Sequence, residues 1–228
     1  MSIAIEPTTS CNLRCPECPS GLRSFTRPTG MLSGDLFRSV INQLAPTLNY
    51  LTFYFQGEPY LHPEFLQLVR YASDRNIYTA TSTNAHFLSN EAAKSTVESS
   101  LDRLIISIDG TNQDTYQAYR KGGSLEKVKE GAQRILYWKR KLRSKTPHVV
   151  FQFLVVRANE HQIPDLYNLA ADIGVDQVVL KTAQIYDYVN GSRLIPQQEK
   201  YSRYKKNENG LYTLKNKLEN NCCKMWHS

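Results

Sequence analysis

Cys11-Asn12-Leu13-Arg14-Cys15-Pro16-Glu17-Cys18 sets three thiols in C-x3-C-x2-C spacing on one short loop. Three thiolates this close can wrap one metal centre without help from distant parts of the chain. A cubane iron–sulfur cluster normally takes four protein thiolates. Three supplied locally leave one iron open to an outside ligand, and an open coordination site marks a reactive centre rather than a structural one. The competing reading is a zinc site completed by His62 or by a terminal cysteine. Zinc knuckles and ribbons usually present paired C-x2-C units, and the x3 gap is unusual for them. Three metal-free thiols in one loop would invite oxidation. His62, His86, His148 and His161 show no mutual ligand spacing and are assigned no role. The other two of the five cysteines, Cys222 and Cys223, lie at the far end, and an odd number in two tight groups makes a poor disulfide framework.

Such a loop needs a scaffold. Short β-branched or aromatic runs alternate with amphipathic segments along the chain. Strands are expected at Ile3–Glu6, Tyr50–Phe55, Ile77–Thr81, Arg103–Ile108, Val149–Val156 and Gln177–Lys181. Helices are expected at Ser33–Leu44, Pro63–Arg75, Ser89–Ser99, Leu125–Leu142 and Ile163–Ile173, the last stopped by Gly174. Six strands with helical crossovers after each of the first five argue for a parallel sheet covered by helices, an α/β fold. Periodicity alone leaves a barrel and an open sheet equally possible. In both, functional groups gather at the carboxyl ends of the strands.

Those ends carry recurring polar stretches. The second strand runs into Gln56-Gly57-Glu58-Pro59, the third into Thr83-Asn84-Ala85, and the fourth ends in Ser107-Ile108-Asp109-Gly110. Each alone is an ordinary turn. In this order behind the cysteine loop, they resemble the radical S-adenosylmethionine (radical SAM) superfamily. Tyr119-Arg120-Lys121-Gly122 and Val156-Arg157-Ala158-Asn159-Glu160 resemble stretches of its subgroup with a C-terminal SPASM extension.

The resemblance implies a partial (β/α)6 TIM-like barrel of parallel strands. It also implies a [4Fe-4S] cluster on Cys11, Cys15 and Cys18, with S-adenosylmethionine on the fourth iron. Reductive cleavage would give a 5′-deoxyadenosyl radical that abstracts hydrogen from a substrate. Gln56, Gly57, Glu58, Pro59, Thr83 and Asn84 would bind the cofactor: backbone carbonyls around Gln56–Glu58 would accept from its ammonium, which has only donors to offer, and Gly57 would permit close approach. Ser107 and Asp109 would bond the ribose hydroxyls or the methionine end. Arg120 or Arg157 would pair with the carboxylate, and backbone near Leu180 and Lys181 would edge the adenine. An external one-electron donor such as flavodoxin or ferredoxin is implied. Two positions depart from the family pattern. Glu17 stands where an apolar or aromatic residue usually packs on the adenine. Ala85 replaces the usual glycine, so that the backbone there is expected to avoid a positive φ.

Residues 1–184 are thus expected to form the catalytic core and 185–228 a connecting tail. Gln197–Asn221 carries only a weak helical signal. Cys222-Cys223-Lys224-Met225-Trp226 resembles the opening of a SPASM extension, whose auxiliary cluster would need further cysteines; a fragment of a longer protein is the favoured explanation. The formal net charge of +7 sits largely in Lys139–Lys145 and in the tail, as solvated helix-end and tail surface rather than a nucleic-acid footprint. No run approaches the roughly 20 apolar residues of a membrane span, and no secretory signal opens the chain, so a cytoplasmic oxidoreductase is expected. A peptide or protein substrate is the first expectation and a carbohydrate or other small metabolite the second. The rival from another class is a zinc- or cluster-bearing RNA-binding protein without turnover.

Overall fold

The computed structural model describes residues 1–215. Cys222 and Cys223, and the expected opening of an extension around them, lie outside the described residues. Six strands form one parallel sheet in chain order: β1 (Ser2–Ala4), β2 (Tyr50–Thr52), β3 (Tyr78–Thr83), β4 (Arg103–Ser107), β5 (His148–Val155) and β6 (Gln177–Thr182). β1 and β6 are the two edges and do not pair with each other, as expected of a partial barrel. Crossovers are made by α2 (Gly34–Leu44), α3 (Phe65–Ser73), α4 (Asn90–Glu98), α5 (Gln113–Tyr119) with α6 (Leu125–Lys141), and α7 (Ile163–Ile173); a one-turn α1 (Pro19–Leu22) follows the cysteines.

Capping side chains start most of these helices. Ser89 Oγ accepts from Ala92 N at 3.2 Å and Asn112 Oδ1 from Thr115 N at 3.0 Å, satisfying donors the helix leaves open. Ser33 and Ser124 play the same part for α2 and α6. At the other end of α7, Gly174 takes φ +86° and stops the helix.

The period of two along each strand sorts its side chains between two environments. Val149, Phe151, Phe153 and Val155 of β5, with Leu104 and Ile106 of β4, enter a core shared with Phe37, Ile41, Phe65, Leu68 and Leu166 of the helices. The alternate residues face the inside of the curved sheet. There Ser107 pairs in register with Gln152. A smaller apolar cluster on that inner side joins Leu13 and Cys15 of the cysteine loop to Tyr119, Val156, Ala183, Ile185, Ile195 and Tyr204.

The tail differs from its expected form. Instead of a weak helix it makes one 3-10 turn, Glu199–Tyr201, and an antiparallel pair, β7 (Tyr204–Lys206) with β8 (Tyr212–Leu214). Tyr204 explains its position: the buried hydroxyl accepts from Ile185 N at 2.7 Å and donates to Ile185 O at 3.0 Å. Its ring also stacks on Tyr188 at 4.6 Å. α5 is a second departure, since its seven residues, six of them polar or aromatic, show too little apolar periodicity to stand out. No helix among the described residues is long and apolar enough to cross a membrane.

Candidate active site

The carboxyl ends of β1 to β5 converge on one cavity of about 230 Å³. Cys11, Cys15 and Cys18 line it together with Gln56, Gly57, Glu58, Thr83, Asn84, Ser107 and Arg120. A larger groove of about 690 Å³ lies between α3 and α4 on the outside of the sheet, lined by Tyr60, Phe65, Tyr71 and Phe87 among others, and it contains no cysteine. All three cysteines meet only in the smaller cavity, and Cys11 also borders a neighbouring one lined by Ser20, Arg23 and Arg27.

Burial lifts the Cys15 thiol to about 11, against the pull of the Arg120 guanidinium. Burial also raises Cys11, opposed by the Leu13 N–H that reaches its sulfur at 3.4 Å. Two thiols that resist ionisation alone suit a metal centre, whose positive charge compensates the thiolates it binds. Among the described residues, no three Cys, His, Asp or Glu side chains gather closely enough for a single ion. A cubane presents its irons at separate corners, so its thiolates ring it instead of meeting at one point. His62 cannot complete a zinc site in this arrangement. Its Nε2 bonds Leu32 O at 2.8 Å and its Nδ1 accepts from Glu64 N at 3.2 Å, so both ring nitrogens are engaged.

The loop after β2 fits closely around the cysteine segment. Three successive N–H groups point into it: Gln56 N to Glu6 Oε1 at 2.8 Å, Gly57 N to Ser20 Oγ at 2.9 Å, and Glu58 N to Ser10 O at 2.8 Å. Among the described residues no donor reaches the carbonyls of Gln56 and Gly57. Gly57 has φ +78°, and a Cβ there would stand 2.0 Å from Thr8 O. Pro59 is buried at the start of a 3-10 turn, Pro59–Leu61.

Glu58 is 1 % exposed and fastens this loop to the next. Its carboxylate accepts from Thr83 Oγ1 and from Asn84 N, both at 2.7 Å. Burial raises it to about 7 despite these bonds. Asn84 then reaches back, donating from Nδ2 to Asn12 Oδ1 at 2.8 Å. His86 secures the turn from behind: Nε2 accepts from Ser124 N, so Nδ1 carries the proton toward Asn84 O, each at 2.8 Å. Burial holds this ring below its ordinary pKa.

Ala85 corrects an expectation. Its φ is +63° and its side chain is 1 % exposed, so the alanine takes the left-handed conformation that the sequence reading had it avoid. The Thr83 hydroxyl holds it there, accepting from Ala85 N at 2.9 Å.

Asp109 is also placed differently from its expected contact with a ligand. It is wholly buried behind the cavity, with one oxygen on Arg120 Nε and the other accepting from Leu154 N at 2.7 Å. Arg120, whose charge Asp109 stabilises, is the group that faces the cavity. Arg157 lies elsewhere: its Nε donates to Ile195 O at 3.0 Å and anchors the tail. Leu180 packs toward the main core and does not line the cavity. Glu17 turns away to accept from Tyr186 N at 3.0 Å, tying the cysteine loop to the tail.

Sequence reasoning missed Ser82, Tyr119, Gln152 and Leu154 as cavity residues. Gln152 had a signal, being the one polar side chain within the apolar run Val149–Val156. Asn159 was noted only as part of a stretch. It is fully buried and donates to Asp109 O at 3.0 Å and Leu154 O at 2.9 Å, bracing the support of Arg120.

Comparison with known proteins gives a match to a family described as the Radical SAM superfamily over residues 5–170. A tungsten-containing aldehyde ferredoxin oxidoreductase cofactor-modifying protein of Pyrococcus furiosus is 27% identical over 220 residues, covering 91% of this chain and 60% of its own. A PqqA peptide cyclase of Bradyrhizobium diazoefficiens is 28% identical over 204 residues, covering 86% and 50%. The chain therefore spans between half and three fifths of the length of these curated relatives. Among solved structures, Streptococcus suis SuiB bound to S-adenosylmethionine shares the fold with a TM-score of 0.69 at 14% identity, over 86% of this chain and 43% of that one.

Proposed function

The chain belongs to the radical SAM superfamily, which uses a [4Fe-4S] cluster and S-adenosylmethionine, and on that premise we propose that it makes a 5′-deoxyadenosyl radical and directs it at a peptide or protein. The observation that carries this reading is the meeting of Cys11, Cys15 and Cys18 with the Gln56–Glu58 backbone in one cavity. When bound, the cluster supplies one electron that splits S-adenosylmethionine into methionine and the radical, which takes a hydrogen atom from substrate.

The chain's own residues bind, orient and shield. Cys11, Cys15 and Cys18 would hold the cluster. The open carbonyls of Gln56 and Gly57 accept from the cofactor ammonium, a reading supported by the inward commitment of the three neighbouring N–H groups. Arg120 pairs with the carboxylate; Arg157, committed to Ile195, does not. Ser107 bonds the ribose or methionine end, and Asp109 contributes by orienting Arg120. Glu58, Thr83 and Asn84 keep two loops in register, and Pro59 sets the exit of the first. Leu13, Tyr119 and Leu154 exclude water from the site, which protects a radical from side reactions.

The peptide assignment rests on the relative named as a PqqA peptide cyclase. A small-molecule substrate is the second reading, favoured by the relative named for modifying a cofactor. Residues 1–184 act as the core. Residues 185–215 form a connecting tail, and flavodoxin or ferredoxin delivers the electron in the cytoplasm.

Anaerobic reconstitution with iron and sulfide tests this. Brown protein with about four irons per chain at this site, releasing 5′-deoxyadenosine on addition of dithionite and S-adenosylmethionine, is the expected result. Colourless, zinc-loaded protein that retains RNA and yields no deoxyadenosine would overturn it. Deuterium carried from a labelled peptide library into deoxyadenosine supports the peptide reading, and transfer only from small metabolites supports the second.

A further inference from the structure

Each cysteine of the loop is met by one polar side chain from outside it. Asn84 Nδ2 lies 3.8 Å from Cys11 Sγ, Arg120 Nη1 lies 4.0 Å from Cys15 Sγ, and Gln56 Oε1 lies 3.4 Å from Cys18 Sγ. Sulfur is larger than oxygen, so contacts to it run longer than N–H···O bonds. The three partners come from three separate segments, after β2, after β3 and after α5. All three line the same cavity.

Two of them are held by their surroundings. Asn84 donates to Asn12 Oδ1 at 2.8 Å, and its own oxygen accepts from His86 N at 3.1 Å. Arg120 is fixed by Asp109, itself clamped by Leu154 N at 2.7 Å and braced by Asn159. Gln56 differs because, among the described residues, its only side-chain hydrogen-bond partner is Cys18. As a thiol, Cys18 donates to Gln56 Oε1. As a thiolate it only accepts, and a half-turn of the same amide presents Nε2 at the same place.

We propose that Asn84, Arg120 and Gln56 form a shell of donors, one for each cluster thiolate, which raises the reduction potential of the cluster. Hydrogen bonds to the sulfurs and nearby charge are two of the protein's levers on such a potential. Donors draw electron density from the thiolates and favour the reduced state, which carries one more negative charge. Arg120 counts most because its full charge acts in a largely buried site, where electrostatic effects are less screened than in water.

The inference rests on the cluster assignment above, and its test separates the two. The full chain is reconstituted anaerobically without S-adenosylmethionine, and the cluster is titrated with dithionite while electron paramagnetic resonance follows the reduced form. Gln56→Leu, Asn84→Ala and Arg120→Gln are expected to keep their iron but resist reduction. At a fixed applied potential, Arg120→Gln lowers the reduced-to-oxidised ratio about tenfold, or about 59 mV for a one-electron couple. The two amide variants lower it about threefold each, on the order of half that shift. Arg120→Lys, which keeps the charge and loses the fork, recovers part of the loss. Resonance Raman bands of the iron–cysteine bonds move to higher frequency as each donor is removed, a change that a merely structural role would not produce.

Gln56→Leu decides the matter if the other variants fail to fold, since among the described residues its side chain hydrogen-bonds Cys18 alone. Loaded variants with unchanged potentials and unchanged bands would overturn this inference alone. A wild-type chain that binds no cluster would overturn the proposed function as well.

Discussion

Glu58 and Asn84, at the ends of adjacent strands, are joined through one carboxylate: Glu58 Oε2 accepts the Asn84 backbone N–H at 2.7 Å while Oε1 takes the Thr83 hydroxyl at the same distance. This link spans the two loops that present backbone to the cavity. It also buries an acid that has no ion-pair partner in contact among the described residues, which gives stability a pH dependence.

Burial raises Glu58 from 4.5 to about 7 in the folded chain. Between those values the native state holds a proton that the unfolded state has released, so stability falls as pH rises through this window and levels off above it. The full effect is on the order of 3 kcal/mol. Thermal unfolding of wild type and Glu58→Gln from pH 4.5 to 8 checks this. Wild type should lose ground to the variant as pH rises; parallel curves would show that the carboxyl does not titrate.

Replacing Cys11, Cys15 and Cys18 together by alanine should abolish iron binding at the loop. Replacing Cys222 and Cys223 should leave one cluster intact. Iron and sulfide analysis after anaerobic reconstitution distinguishes the two, and the reverse pattern would transfer the cluster to the other end of the chain.

Gly57→Ala asks for two things that the site cannot supply. The backbone is at φ +78°, and the new methyl would lie 2.0 Å from the Thr8 carbonyl oxygen, which is main chain. Destabilisation of roughly 2–4 kcal/mol is expected from strain and overpacking combined. Denaturant titration gives the value, and a loss below about 0.5 kcal/mol would show that the loops part easily.

Asp109→Asn should weaken S-adenosylmethionine binding about tenfold while leaving cluster iron unchanged, because Arg120 loses its counter-charge and its orientation. Asp109→Ala should cost about 2–3 kcal/mol of stability by leaving a largely buried guanidinium without its charge partner. Calorimetric titration of the loaded protein measures the first effect. Equal loss of cofactor affinity and iron would point instead to general unfolding around Cys15.

Much of this could be read in advance, and the misses have physical causes. Ile163–Ile173 was bounded correctly because an apolar stripe ends at a glycine. Ser33 and Ser89 announced their helices as capping residues do. The tail pair of strands escaped notice because Tyr204–Lys206 and Tyr212–Leu214 are too short for alternation to register. Asp109 next to Gly110 looked like a turn dipeptide. Its burial depends on Arg120, Leu154 and Asn159, which no local window contains. Ala85 was misjudged because intrinsic backbone preference was weighed without the Thr83 hydroxyl that overrides it. That Cys11, Cys15 and Cys18 would line one cavity was legible because three thiols in eight residues need no long-range information.

The small apolar cluster joining Leu13 and Cys15 to Ile185, Ile195 and Tyr204 makes the first and last described segments thermodynamic neighbours. A ligand that stabilises the loop at residue 15 is expected also to protect the segment near residue 204 that packs on it. Cleavage of that segment by a protease would then report, from the far end of the chain, whether metal assembly has taken place.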